Sequence, residues 1–253
     1  MLIKYTEKQV WRKPVMKNPE ELYSRGNQKR IRSTMKKVLE CKISHIFEPL
    51  SQNFLSWFTP MYTELIGKKS NAIVYDLFEK TLNNNLNGND FLGMTVCLNN
   101  TPVGGAIINM YEELFMISYR AFLPKWPSGT LQSSPSLYAE YVTAKEAFAK
   151  HKHQVSHGKD RNLFGINSNI GQLMYKLSVG YKPQLPINKV AQKNEVLILD
   201  TQNVKQDVVV LQYPDEGLYI TKAILVASRE TEAKYNQLLQ YPKQLEVQVI
   251  YRD

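Results

Sequence analysis

Three strand-length apolar runs follow one another between Phe91 and Leu123, and a capped helix comes next. Phe91 to Leu98 and Val103 to Met110 are joined by Asn99-Asn100-Thr101-Pro102, turn chemistry that suits a short hairpin. Leu114 to Leu123 (LFMISYRAFL) continues the antiparallel meander. Gly104 and Gly105 lie inside the second run, where paired glycines mark a bulge, a close backbone approach or a local twist. A loop rich in Pro, Ser, Gly and Thr leads to Ser134-Pro135-Ser136, an N-cap with Pro in the first turn. The helix that follows should run to about His151, with Leu137, Tyr141, Ala144 and Phe148 aligned.

On either side the pattern is mixed. Lys42 to Phe47 reads as a strand, Leu50 to Ile66 as an aromatic-rich helix with Pro60 inside it, and Ala72 to Asn83 as a further helix. After the helix at 135–151, a strand is expected at Asn162 to Ile166, a turn at Asn167 to Gly171, and a helix over Ile170 to Ser178 with Ile170, Met174 and Leu177 on one face. Glu195 to Asp200, Asp207 to Tyr213, Gly217 to Val226 and Leu245 to Tyr251 read as strands, with a helix at Arg229 to Gln240. This order predicts an α+β fold, a mixed sheet with helices on its faces. Residues 1–200 form the expected main domain and 201–253 a β-β-α-β extension packed on it.

The 253 residues are 43% hydrophobic, enough for a core. No apolar run approaches the roughly 20 residues that cross a bilayer, and the first residues lack a signal-peptide segment, so a cytoplasmic protein is expected. Cys41 and Cys97 are far apart and read as core thiols. The net charge of +9 is concentrated early: Met1 to Lys42 holds 12 Lys and Arg against 4 Asp and Glu. Asn18 to Glu40 reads as a helix whose basic face carries Arg25, Lys29, Arg30, Arg32, Lys36 and Lys37. That face is either a steering patch for a phosphate-rich partner or a solvated surface.

The signatures of covalent serine, P-loop and zincin chemistry are absent. His151, His153 and His157 have a spacing that could hold a metal, but at a helix end among lysines, with no neighbouring Cys or acidic cluster, they read as solvated and no metal is expected. His157, Asp160 and Glu140 are candidate general bases, and Tyr138 or Tyr141 a candidate acid. The bland alternatives are a polar loop around His157 to Asn162 and a helix start in which Glu140 complements the dipole while the tyrosines pack. The segment His157 to Pro183 stands out, because a turn, an Asn169 cap, a helix and Gly180 at its end would aim N–H groups at one spot. Asn167, Asn169, Gly171 and Lys176 would surround an anion there.

The sequence resembles the GNAT acyltransferase superfamily, and within it the branch of Fem-type peptidyltransferases and acetyltransferase-like proteins of exopolysaccharide clusters. The residues that carry this are Pro102-Val-Gly-Gly105, Ser118-Tyr119-Arg120-Ala121, Ser134-Pro-Ser-Leu-Tyr-Ala-Glu140, Asn169-Ile-Gly171, Tyr175-Lys176 and Gly180-Tyr181, across about Asn18 to Asp200. The resemblance implies a GNAT-like fold in which two central strands splay apart and an amine attacks an acyl donor held in the gap. It gives Lys176 to the acceptor's phosphate, and Tyr119 and Arg120 to the substrate. Where CoA-dependent members carry a Q/R-x-x-G-x-G/A turn, this chain has Lys125 to Ser134, in which Gly129, Ser133 and Ser134 could contact a pyrophosphate. The implied donor is an acyl thioester of CoA or an acyl carrier protein, used as a cosubstrate with no tightly bound cofactor, and the acceptor a small molecule or cell-envelope precursor. Two alternatives stand beside it: an aminoacyl-tRNA-dependent ligase that uses the basic helix, and a non-catalytic binding module.

Overall fold

The computed structural model describes residues 2–69, 72–85, 90–127, 129, 131–188, 192, 194–198, 205–240 and 244–252. Strands β1 (Leu2–Thr6) and β2 (Lys8–Pro14) come first, then a 3-10 turn at Pro19–Leu22, helix α1 (Arg25–Lys36), strand β3 (Ile43–Pro49) and helices α2 (Gln52–Gly67) and α3 (Leu77–Asn85). The meander β4 (Asp90–Leu98), β5 (Thr101–Met110) and β6 (Leu114–Phe122) precedes α4 (Pro135–Ala149), β7 (Gln154–Arg161), α5 (Ile170–Ser178) and β8 (Lys182–Gln184). Beyond lie β9 (Asn194–Ile198), β10 (Val208–Leu211), β11 (Lys222–Ala227), a 3-10 turn at Glu232–Tyr235, α6 (Asn236–Leu239) and β12 (Glu246–Tyr251). These elements group into two compact units, Pro14–His157 and Met1–Lys13 with Gly158–Asp253. Strands β10 to β12, expected in an extension beyond residue 200, thus group with the N-terminal strands and with everything from Gly158 on.

In the unit Pro14–His157, β3, β4, β5 and β6 form an antiparallel run, and β7 joins β6 in parallel after the crossover through α4. Two register shifts break the ladder. One between Val96 and Cys97 leaves Val103 as an extra residue on β5, and one between Ile107 and Ile108 leaves Ser118 extra on β6. Beside the first shift, a Cβ on Gly105 would lie 2.7 Å from the Met94 carbonyl oxygen and 2.9 Å from the Trp57 ring, so the strand needs glycine there for close approach. Alternation sends Ile107, Tyr119 and Ala121 to one face, where α2 covers them with Phe54, Leu55, Phe58 and Tyr62. Ala106, Arg120 and Phe122 therefore face the other way, towards α4.

Several expected boundaries move, each for a local reason. The expected helix Asn18 to Glu40 is a 3-10 turn and a separate α1, because Ser24 takes an extended conformation and its hydroxyl accepts from the Asn27 N–H as the true N-cap. The helix expected from Ala72 begins at Leu77, with the Asp76 carboxylate accepting from the Glu79 N–H.

In the unit Met1–Lys13 with Gly158–Asp253, β1 pairs with β9, β2 with β8, and β10, β11 and β12 form a three-stranded sheet with a parallel β11–β12 edge. Strands β1, β2 and β8 were not expected from the pattern. The strand expected at Asn162 to Ile166 lies earlier, at β7, because the buried Asn162 side chain replaces the ladder. Its amide donates to the Thr6 and Leu211 carbonyls, its oxygen accepts from the Leu211 and Leu163 N–H groups, and Leu163 turns the chain at φ 60°. The helix expected at Arg229 to Gln240 is a 3-10 turn and the short α6, with Thr231 and Tyr235 donating to the Asp207 carboxylate.

Candidate active site

Strands β6 and β7 pair only from Leu114 to Met116 against Gln154 to Ser156, while β6 runs on to Phe122. The sheet therefore opens into a notch with Arg120 on one strand and His157 on the other. Helix α4 spans this face, its first turn closed by Ser134, whose hydroxyl accepts from the Leu137 N–H. Glu140 enters the notch from the second turn and is 1% exposed. A carboxylate so far from water persists only with polar partners. Among its partners are His157 Nε2, at 2.9 Å from Glu140 Oε2, and Arg120 Nη1, at 3.6 Å from the same oxygen.

This contact constrains the imidazole. With Glu140 ionised, the proton of neutral His157 belongs on Nε2, where it donates to the carboxylate, and the basic lone pair then sits on Nδ1. The side chain is 4% exposed, so any proton transfer there is shielded from bulk water. A cleft of about 10 Å³ lies beside Glu140, lined by Arg120, Ser136, Met94, Ile117, Phe122 and Thr143 among others.

Of the three candidate bases, Glu140 and His157 thus meet. Asp160 does not join them: its carboxylate accepts from the Lys176 ammonium. Tyr138 is turned away from Glu140, as a two-residue step along a helix requires. Its hydroxyl bonds His45 Nδ1 at 2.9 Å, its ring meets Trp126 edge-on, and burial pushes its pKa up to about 12. Tyr141 also departs from the expected acid role, lying towards the Glu20 carboxylate, with burial and then that charge raising its pKa.

The substrate residues divide as well. Arg120 faces Glu140, but Tyr119 points to the opposite face of the sheet, edge-on to Tyr62 and Tyr75. The anion site expected around Lys176 is closed from within. Lys176 is buried, with its ammonium on Asp160 and 5.3 Å from the centre of the Trp11 ring. Beside it, buried Lys13 lies 4.6 Å from the centre of the Tyr181 ring and donates to the Val179 carbonyl. Asn169 caps its own helix by accepting from the Gly171 N–H at 2.7 Å, and Asn167 is exposed, its N–H bonded to the Leu163 carbonyl. The inward residues of α5 are Leu173, Lys176 and Leu177 rather than Ile170, Met174 and Leu177.

The expected pyrophosphate contacts are largely occupied too. Ser133 is buried, with its hydroxyl accepting from Thr34 of α1 at 2.8 Å, and Ser134 is the α4 cap. Gly129 is exposed at φ 66° with its N–H on the Trp126 carbonyl. His151 and His153 are exposed, His153 beside Glu113, and no group of His, Cys, Asp or Glu among the described residues could hold a metal ion. On α1, Arg25, Lys29, Arg32 and Lys36 recur at helical spacing along one exposed stripe, opposite buried Asn27, Ile31 and Thr34. No described helix is long and apolar enough to cross a membrane.

The sequence pattern did not single out His45, Lys13 or Trp11. Each owes its place to a partner more than 90 residues away, His45 to Tyr138 and the other two to the α5 region.

No protein-family model and no curated protein matches the chain. Solved structures do. FemX is similar over 71% of this chain and 60% of its own, at 14% identity and a TM-score of 0.53. L-PGS from Bacillus licheniformis is similar over 62% and 46%, at 11% identity and a TM-score of 0.42. A GCN5-related N-acetyltransferase from Anabaena variabilis is similar over 68% and 37%, at 12% identity and a TM-score of 0.38. The chain therefore spans about three fifths of the FemX structure, and at such identity the likeness is one of fold. A mostly antiparallel, mixed sheet flanked by helices agrees with the GNAT-like fold that the sequence resemblance implies.

Proposed function

We propose that this chain transfers an acyl or aminoacyl group to an amine by direct attack at the notch between β6 and β7. The observation that carries the proposal is the buried Glu140–His157 pair with Arg120 beside it. The imidazole takes the proton of the acceptor ammonium, the freed amine nitrogen forms a bond to the donor's carbonyl carbon, and the carbonyl becomes an oxyanion. Its collapse breaks the bond to the donor's sulfur or oxygen, which leaves with a proton. Glu140 holds the imidazole in place, and the Arg120 guanidinium lies within reach of the negative charge that develops. The favoured donor is an acyl thioester of CoA or of an acyl carrier protein, and the acceptor a small molecule or envelope precursor.

A second donor is favoured by one observation. The exposed stripe of Arg25, Lys29, Arg32 and Lys36 suits a polyanion, and an aminoacyl-tRNA would fit it. The test mixes the folded protein with acetyl-CoA, longer acyl-CoAs, an acyl carrier protein and aminoacyl-tRNAs, over a panel of amines, and follows products by mass spectrometry. One donor class should be consumed, and Glu140→Gln should slow the transfer about 10²–10⁴-fold. Tight, salt-sensitive tRNA binding that is lost when Lys29, Arg32 and Lys36 are reversed to Glu would select the ligase. Folded protein that consumes no donor, or keeps its cellular role as Glu140→Ala/His157→Ala, would instead be a binding module.

A further inference from the structure

The cleft beside Glu140 sets a size limit. Its volume of about 10 Å³ is room for one water-sized group. If the acceptor is deprotonated at the Glu140–His157 pair, the donor carbonyl sits at the mouth of the cleft. Whatever lies beyond the carbonyl carbon must then enter it. Met94, Ile117, Phe122 and Thr143 are among the residues that wall it.

A methionine is normally the most yielding of walls, because an unbranched thioether has three rotatable bonds. This one is held. The Thr143 hydroxyl donates to Met94 Sδ at 3.3 Å, both residues are buried, and Met94 lies on β4 in ladder with Ala106 of β5. Thr143 is one turn from Glu140 on the same face of α4, so a single helix carries both the carboxylate that positions His157 and the latch on the wall.

We infer that Met94, latched by Thr143, limits the transferred acyl group to one heavy atom beyond the carbonyl carbon, an acetyl. This rests on the transfer reaction proposed above. Each added methylene in such a pocket should lower kcat/KM about 10-fold or more.

The experiment measures kcat/KM for acetyl, propionyl and butyryl thioesters. Wild type should favour acetyl. Met94→Ala should raise the butyryl-to-acetyl ratio at least 10-fold. Thr143→Val keeps the volume and removes the latch, so it should raise the same ratio by a smaller factor. It also serves if Met94→Ala does not fold. Equal use of all chain lengths by wild type, or a ratio left unchanged in the Thr143→Val protein, would overturn the inference while leaving acyl transfer intact. Folded protein that uses no donor would overturn both.

Discussion

The Arg120–Glu140–His157 cluster can be tested through stability, with no knowledge of the substrate. At 3.6 Å and an effective dielectric near 20, the Arg120–Glu140 attraction is about 5 kcal/mol before desolvation. Burying the carboxylate offsets most of that, so a double-mutant cycle of Arg120→Met and Glu140→Gln should give a coupling of about 1–2 kcal/mol. Glu140→Gln alone keeps the shape and a hydrogen-bonding group opposite His157 and should destabilise by about 1–3 kcal/mol. Glu140→Ala leaves Arg120 and His157 facing a void and should destabilise by about 3–5 kcal/mol. Urea unfolding of the four proteins of the cycle and of Glu140→Ala, at one pH and ionic strength, measures all of these. Coupling within about 0.3 kcal/mol of zero, or equal losses for Gln and Ala, would show that the carboxylate is not held as described and would remove the basis for its assigned role.

Asn162→Ala removes four hydrogen bonds to Thr6, Leu211 and Leu163, three of them buried, and should destabilise by about 3 kcal/mol or more, read from the urea midpoint. Gly105→Ala forces a methyl against the immovable Met94 carbonyl and should destabilise by about 2–3 kcal/mol in the same assay. Burial lowers the His45 pKa below its ordinary 6.5, so the unfolded chain binds a proton there that the folded chain refuses. Stability should therefore fall as pH drops below about 6.5, modestly because the ring is only partly enclosed, and His45→Asn should flatten that fall between pH 7.5 and 5.

The meander from Phe91 to Leu123 and the helix after it were legible because their signals are local: a period of two, turn residues, a Ser cap and a Pro in the first turn. Glu140 and His157 were legible as candidate bases from equally local signs, Glu140 from its place in the first turns of a capped helix and His157 from the polar run His157 to Asn162. Their meeting was not legible, since 17 residues and a crossover separate them. Lys176 shows the opposite error. Its neighbourhood of Asn169, Gly171 and Gly180 carries every local sign of an anion site, yet the folded chain gives its ammonium to Asp160 and the Trp11 ring. Strands β1 and β2 were missed because the first residues mix lysines with apolar groups, and their pairing to β9 and β8 has no local trace.

The sequence by itself determined the meander and the helix α4 of the site though not β7, the caps of α4 and α5, the exposed basic stripe and the resemblance to the GNAT superfamily. These depend on interactions within a few residues. Only the tertiary structure decided that β6 and β7 part after three pairs, that Glu140 lies between Arg120 and His157, and that Thr143 latches Met94 over a cleft for a single small group. Each of those contacts is set by strand register and helix rotation across distant segments, quantities that close packing fixes and local preference does not.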